Sequence, residues 1–182
     1  MDRIKKAALL TRLIEKLREK GSWCGETHIQ KATYFLQDLM HVPLEYEFIL
    51  YKHGPFSFDL RDELTSLRAD ELIRLDPQWP YGPRITPTDR SEYIQRICSK
   101  TLAKYDECIA FGAENLGNKG VADLERLATA LFITQRLLKN ASVDERAERL
   151  TELKPHITRE NSIAAVKEVD LMLEKLEEQV QL

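Results

Sequence analysis

Residues 46–67, YEFILYKHGPFSFDLRDELTSL, restrict the fold of this chain more than any other stretch. Tyr46, Phe48, Ile49, Leu50 and Tyr51 are aromatic or aliphatic, the types that suit a pleated, half-buried strand. His53-Gly54-Pro55 then stops the strand. Gly54 reaches positive φ without a Cβ clash, and Pro55 fixes φ and donates no hydrogen bond. Ser57 follows as an N-cap whose hydroxyl can accept from a free N–H of the first turn, and Asp59 puts a negative charge where the helix dipole favours it. Leu60, Leu64 and Leu67 recur at i, i+4, i+7 on one helical face. The stretch predicts a strand, a turn built on Gly54, Pro55 and Ser57, and a capped helix.

The flanking segments supply elements to pack on this unit. Residues 2–20 predict a helix with Ile4, Ala8, Leu9, Leu13 and Leu17 on one side, closed by Gly21. Residues 26–40 predict a second helix, with Ile29, Ala32, Leu36 and Leu39 sharing a face and Val42-Pro43 breaking it. After Leu67, residues 69–75 and 84–86 read as two strands around the Pro/Gly-rich loop DPQWPYGP. Helix, helix, strand, helix, strand, strand is the order of a winged-helix domain. Thr88-Asp89 then caps a long helix reaching the turn Gly117-Asn118-Lys119-Gly120. Residues 121–139 form the most apolar helix, with Leu124, Leu127, Ala128, Leu131 and Leu138 on one side and Ala130, Ile133 and Leu137 on the other. A helix apolar on two sides is buried between neighbours. Ser142-x-x-Glu145 is a capping box for a short helix that Lys154-Pro155 ends, and Thr158 caps the last one. The expected fold is mainly α: a degenerate winged-helix part with a short three-stranded sheet over 1–90, and a helical bundle over 91–182 packed with it.

Composition narrows the function classes. The apolar runs are too short to span a bilayer, and no secretory signal is visible, so a cytoplasmic location without membrane contact is expected. Cys24, Cys98 and Cys108 form no CxxC pair and suit a reducing compartment. With 27 basic and 30 acidic side chains the net charge is −3, so any nucleic-acid face would be a local patch. No GxxxxGK[ST] or GxGxxG phosphate cradle occurs. Cys24 and His28 lack the second pair that a zinc finger needs, and His28, His41, His53 and His156 are scattered. No catalytic residue, metal site or cofactor is expected.

Two surfaces remain as candidates for holding a partner. Trp79 and Tyr81 lie in the Pro-rich loop, where full burial is difficult, and such residues anchor many protein contacts. Lys52, His53 and Phe56 surround the Gly-Pro turn. DNA is the less favoured partner: the helix over 57–67 would be the recognition helix, yet it exposes Asp59, Asp62 and Glu63 against Arg61 and Arg68. Dimerisation through the terminal helices stays open, although no heptad specifies it.

Three stretches resemble a known family. His28-Ile29-Gln30-Lys31-Ala32-Thr33-Tyr34-Phe35-Leu36 resembles the LQKLLYF helix of the Panacea domain family, the SocA-like antitoxins. Tyr51-Lys52-His53-Gly54-Pro55-Phe56-Ser57 resembles that family's kyGPvs turn, and Leu60 fits the leucine that follows. Residues 124–131 and Leu153-Lys154-Pro155-His156 look like the C-terminal segments of related bacterial proteins of the YwgA type. The resemblance implies a bacterial or phage protein that binds another protein, either a toxin or a protease-linked partner. The expectation is therefore a non-enzymatic protein-binding module of the antitoxin or adaptor kind, in a toxin–antitoxin or phage-defence setting. The alternative is a winged-helix DNA-binding transcription regulator.

Overall fold

The N-terminal apolar stripe forms helix α1 (Arg3–Glu19). Asp2 caps it, its carboxylate accepting from the Lys5 N–H at 3.0 Å. At the other end Gly21 takes φ 91°. Its N–H donates to Arg18 O and the Ser22 N–H to Leu17 O, both at 3.0 Å, the hydrogen-bond pair that satisfies the last carbonyls of a helix stopped by glycine. Leu9, Leu10, Leu13, Ile14 and Leu17 are fully buried, a wider stripe than the sequence suggests, whereas Ile4 in the first turn is exposed.

The computed structural model describes residues 1–180. Over these it is mainly helical, with eight α-helices and two small antiparallel sheets of two strands each. None of the described helices is long and apolar enough to cross a membrane. Contacts divide the chain into two units: Met1–Ile49 with Phe56–Val121, and Leu50–Pro55 with the chain from Ala122 onward.

In the first unit α1 packs against helices α2 (Glu26–Tyr34), α4 (Asp89–Ile97) and α5 (Ser99–Leu116) and against strand β4 (Tyr81–Pro87). Helix α2 (Glu26–Tyr34) runs into a π-helical turn, Phe35–Leu39. Every residue from His28 to Leu36 is buried, including Gln30, Lys31 and Thr33. Ser57 caps helix α3 (Phe58–Ala69), its hydroxyl accepting from the Leu60 N–H at 3.2 Å, and the hairpin of strand β1 (Ile49–Tyr51) and strand β2 (Gly54–Phe56) that precedes it belongs, over Leu50–Pro55, to the second unit. Leu60, Leu64 and Leu67 are the buried face of α3. Each such leucine contributes about 1.5–3 kcal/mol of burial. Strands β3 (Ile73–Gln78) and β4 (Tyr81–Pro87) form the second hairpin, with Leu75 opposite Ile85 and Arg74 opposite Thr86. Helices α4 (Asp89–Ile97) and α5 (Ser99–Leu116) follow.

Four expectations are corrected. The three-stranded sheet is replaced by two separate hairpins. The strand expected from Tyr46 onward starts only at Ile49, because the Gln37 side chain takes both main-chain groups of Tyr46: its amide donates to Tyr46 O at 2.9 Å and accepts from the Tyr46 N–H at 2.8 Å. Tyr46 and Phe48 are buried, but on extended chain outside any sheet. Gly54 and Pro55 do not end a strand at a helix. They lie inside β2, Gly54 at φ 84°, and the chain reverses before them at Lys52 and His53. The long helix expected after Thr88-Asp89 is bent at Cys98 (φ −97°, ψ 19°), so that α4 and α5 can both follow α1.

The second unit contains nearly all of helix α6 (Val121–Phe132), continued by a π-helical turn Ile133–Leu137, and helices α7 (Val143–Leu153) and α8 (Arg159–Val180). Leu124, Leu127, Ala128, Ala130, Leu131 and Ile133 are buried, while Leu137 is substantially exposed. The Ser142–Glu145 capping box forms. Arg146 holds Asp170 through two bonds of 2.7 Å and donates to Thr134 Oγ at 3.1 Å, joining α7 to α8 and to the turn after α6. A bidentate guanidinium–carboxylate pair adds geometric specificity as well as energy.

Candidate functional site

The tip of the β3–β4 hairpin carries Trp79 and Tyr81, which are 95% and 70% exposed. Tyr81 meets Trp23, from the connection between α1 and α2, edge to face at 5.2 Å. Trp23 is fixed from several sides. Its indole N–H donates to Gly82 O at 3.3 Å, and the Arg84 guanidinium lies 5.1 Å from the ring centre. The same guanidinium donates to the carbonyls of Trp23 (3.3 Å) and Ser22 (3.4 Å). The Ile85 N–H donates to Cys24 O at 2.8 Å, tying this connection to β4.

Trp23, Tyr81 and Gly82 form one wall of an open cleft of about 700 Å³ in the first unit. Leu75, Pro83 and Ile85 continue the wall along the hairpin, and Glu26, His28 and the turn Gly117–Gly120 close the other side. Gly25 sits tightly at its floor, since a Cβ there would stand 3.3 Å from Trp23 Cδ1. Burial pushes the His28 imidazole below the usual histidine range, against a weaker opposing hydrogen bond to the Lys119 backbone, so the ring is neutral at pH 7. Burial raises the thiols of Cys24, Cys98 and Cys108, and the Cys24 thiol donates to Ile14 O at 3.7 Å. A thiol held in this way is a packing group, because nucleophilic attack needs the thiolate. Among the described residues no group of three or more His, Cys, Asp or Glu is placed to hold a metal ion. The cleft is lined by aromatic, aliphatic and glycine residues together with Glu26, His28 and Lys119.

The second candidate patch is divided. Phe56 belongs to the first unit, half-buried and edge to face with Phe58 at 5.1 Å. Lys52 and His53 are exposed on the hairpin tip that belongs to the second. There Lys154 Nζ donates to the carbonyls of Tyr51 and Lys52, and His53 Nδ1 lies 3.0 Å from Glu125. Burial lowers the Lys154 pKa, against an opposing attraction from Glu125. Gly54, Pro55 and Ser57 are all buried, and the Gln30 amide bonds both main-chain groups of Ser57, donating to its O at 2.9 Å and accepting from its N–H at 3.0 Å.

Trp23, Arg84, Gln30 and Lys154 are anchoring residues that the sequence reading placed in no partner-binding patch. Trp23 carried a signal, a large aromatic just past a helix-ending glycine. The other three are polar residues in polar-tolerant positions, and nothing local marks them. No protein-family model matches the chain, and no curated protein sequence does.

Proposed function

We propose that this chain is a non-enzymatic protein-binding module, an antitoxin or adaptor of the kind that the Panacea resemblance implies, acting in the reducing cytoplasm of a bacterium or phage host. The observation that carries this reading is Trp79 and Tyr81 standing in water beside a cleft already lined by Trp23. A large aromatic left 95% exposed gains its burial only when a partner covers it. The three free cysteines support a reducing compartment.

The finer architecture we infer for the first unit is a degenerate winged helix. The contact of Cys24 with β4 supports it, since the connection between the first two helices then lies along the hairpin as a third, vestigial strand. In that arrangement residues 46–56 are an insertion ahead of α3, and Trp79 is the tip of the wing.

The test replaces Trp79 and Tyr81 together by alanine. Melting should be unchanged, because neither side chain is core, and co-purification with the polypeptide encoded beside this chain should be lost. Retained co-purification, or a melting temperature lowered by several degrees, would overturn the assignment. Nuclease treatment of the wild-type complex should leave the protein partner bound; release by nuclease would favour the DNA-binding alternative.

A further inference from the structure

The β3–β4 hairpin has one closed edge and one open edge. Ile85 uses its N–H on Cys24 O, and its carbonyl faces Arg18 Nη1 at 3.4 Å. Both groups therefore point away from β3, so Ile85 and its opposite residue Leu75 form a non-hydrogen-bonded pair of the ladder. The main-chain groups of Leu75 consequently point out of the far side of β3, and among the described residues none accepts or donates to them. Arg74 and Leu75 are exposed there, and Pro77, which has no N–H, limits the open edge to a few residues. An open edge of this kind is a template for another strand.

The sequence of that edge is complementary to itself. When two copies of Ile73-Arg74-Leu75-Asp76-Pro77 run antiparallel about Leu75, each Arg74 stands opposite the other copy's Asp76, Leu75 stands opposite Leu75, and Ile73 opposite Pro77. Within one chain Arg74 Nε already lies 2.8 Å from Asp76 Oδ1, on the face away from Leu75. The geometry points to a two-fold homodimer in which β3 pairs with β3 of a second copy, joining two hairpins into one four-stranded sheet. The pairing is isologous: the two Leu75 residues exchange N–H and C=O bonds, and the Arg74–Asp76 pair becomes two intermolecular pairs. The contact is small, so the dimer is reversible, with a dissociation constant on the order of micromolar.

Sedimentation equilibrium on the full chain, from about 1 to 300 µM, tests this. The wild type should show a monomer–dimer equilibrium. Arg74→Asp and Asp76→Arg each bring like charges together across the two-fold and should weaken the dimer about tenfold or more. The double variant restores opposite charges and should return to within about threefold of the wild type. Amide exchange on the wild type supplies a reading that needs no variant: the Leu75 N–H should become protected as concentration rises. A monomer at every concentration, a dimer indifferent to both reversals, or a Leu75 amide whose exchange ignores concentration would overturn the proposal.

Discussion

Gln30 and Gln37 stand two helical turns apart along α2 and its π-helical continuation, and each amide bonds both main-chain groups of one residue, Ser57 and Tyr46. These bonds replace a strand ladder for chain that has no neighbouring strand. Gln30→Leu strands a buried N–H and C=O and should cost about 2–3 kcal/mol in urea unfolding. Gln37→Leu, at a half-buried site, should cost less; equal midpoints for the two variants would contradict the assignment. His28 gives a pH signature. Its folded pKa lies below the ordinary 6.5, so the unfolded chain takes up the proton first. The stability it contributes is whole above pH 6.5 and is lost as pH falls through that value toward the folded pKa. His28→Gln should therefore reduce the loss of stability seen when the wild type is acidified through this window. Gly117 is a steric requirement: a Cβ there would collide with Lys20 Cβ and stand 2.6 Å from Ala113 O. Gly117→Ala should lower stability by about 1–3 kcal/mol, read from a melting curve.

Among the elements, the first hairpin shows how far local chemistry reaches. Gly54 at φ 84° and the Ser57 cap are backbone requirements that the residue types announce. Gly54→Val places a β-branched side chain at positive φ in a buried position and should cost about 2–3 kcal/mol. Phe58→Ala removes a ring that is 40% exposed and should cost less than Gly54→Val; equal melting temperatures would refute this. The Gly21 stop of α1, the capping box of α7 and the Lys154-Pro155 end of that helix were legible for the same reason: each depends on residues within one turn of the boundary. The position of the reversal and the failure of Tyr46 to join a sheet were not, because a side chain nine residues away supplies the competing hydrogen bonds.

For the whole molecule, charge sets what can approach. The chain carries three more acids than bases, and the exposed side of α3 holds Asp59 and Asp62 beside Arg61 and Arg68, so it presents no excess of positive charge. A duplex laid on that helix meets acids where phosphate neutralisation is needed. A mobility-shift assay at low salt with about micromolar protein should show no retarded DNA; a shift would favour a transcription regulator over a protein-binding module.

The sequence alone determined the mainly helical class, the Ser57, Ser142 and Thr158 caps, the leucine face of α3 and the Trp79–Tyr81 loop, because each follows from spacing or residue type within a few positions; Thr88 does not cap α4, since its hydroxyl donates to Glu71 O. Tertiary structure decided which polar side chains stand in for missing strands, that Trp23 joins Tyr81 at the cleft, and which edge of β3 is left open. Those outcomes depend on pairs such as Gln30 with Ser57 and Trp23 with Tyr81, dozens of residues apart, and separation along the chain carries no information about meeting in space.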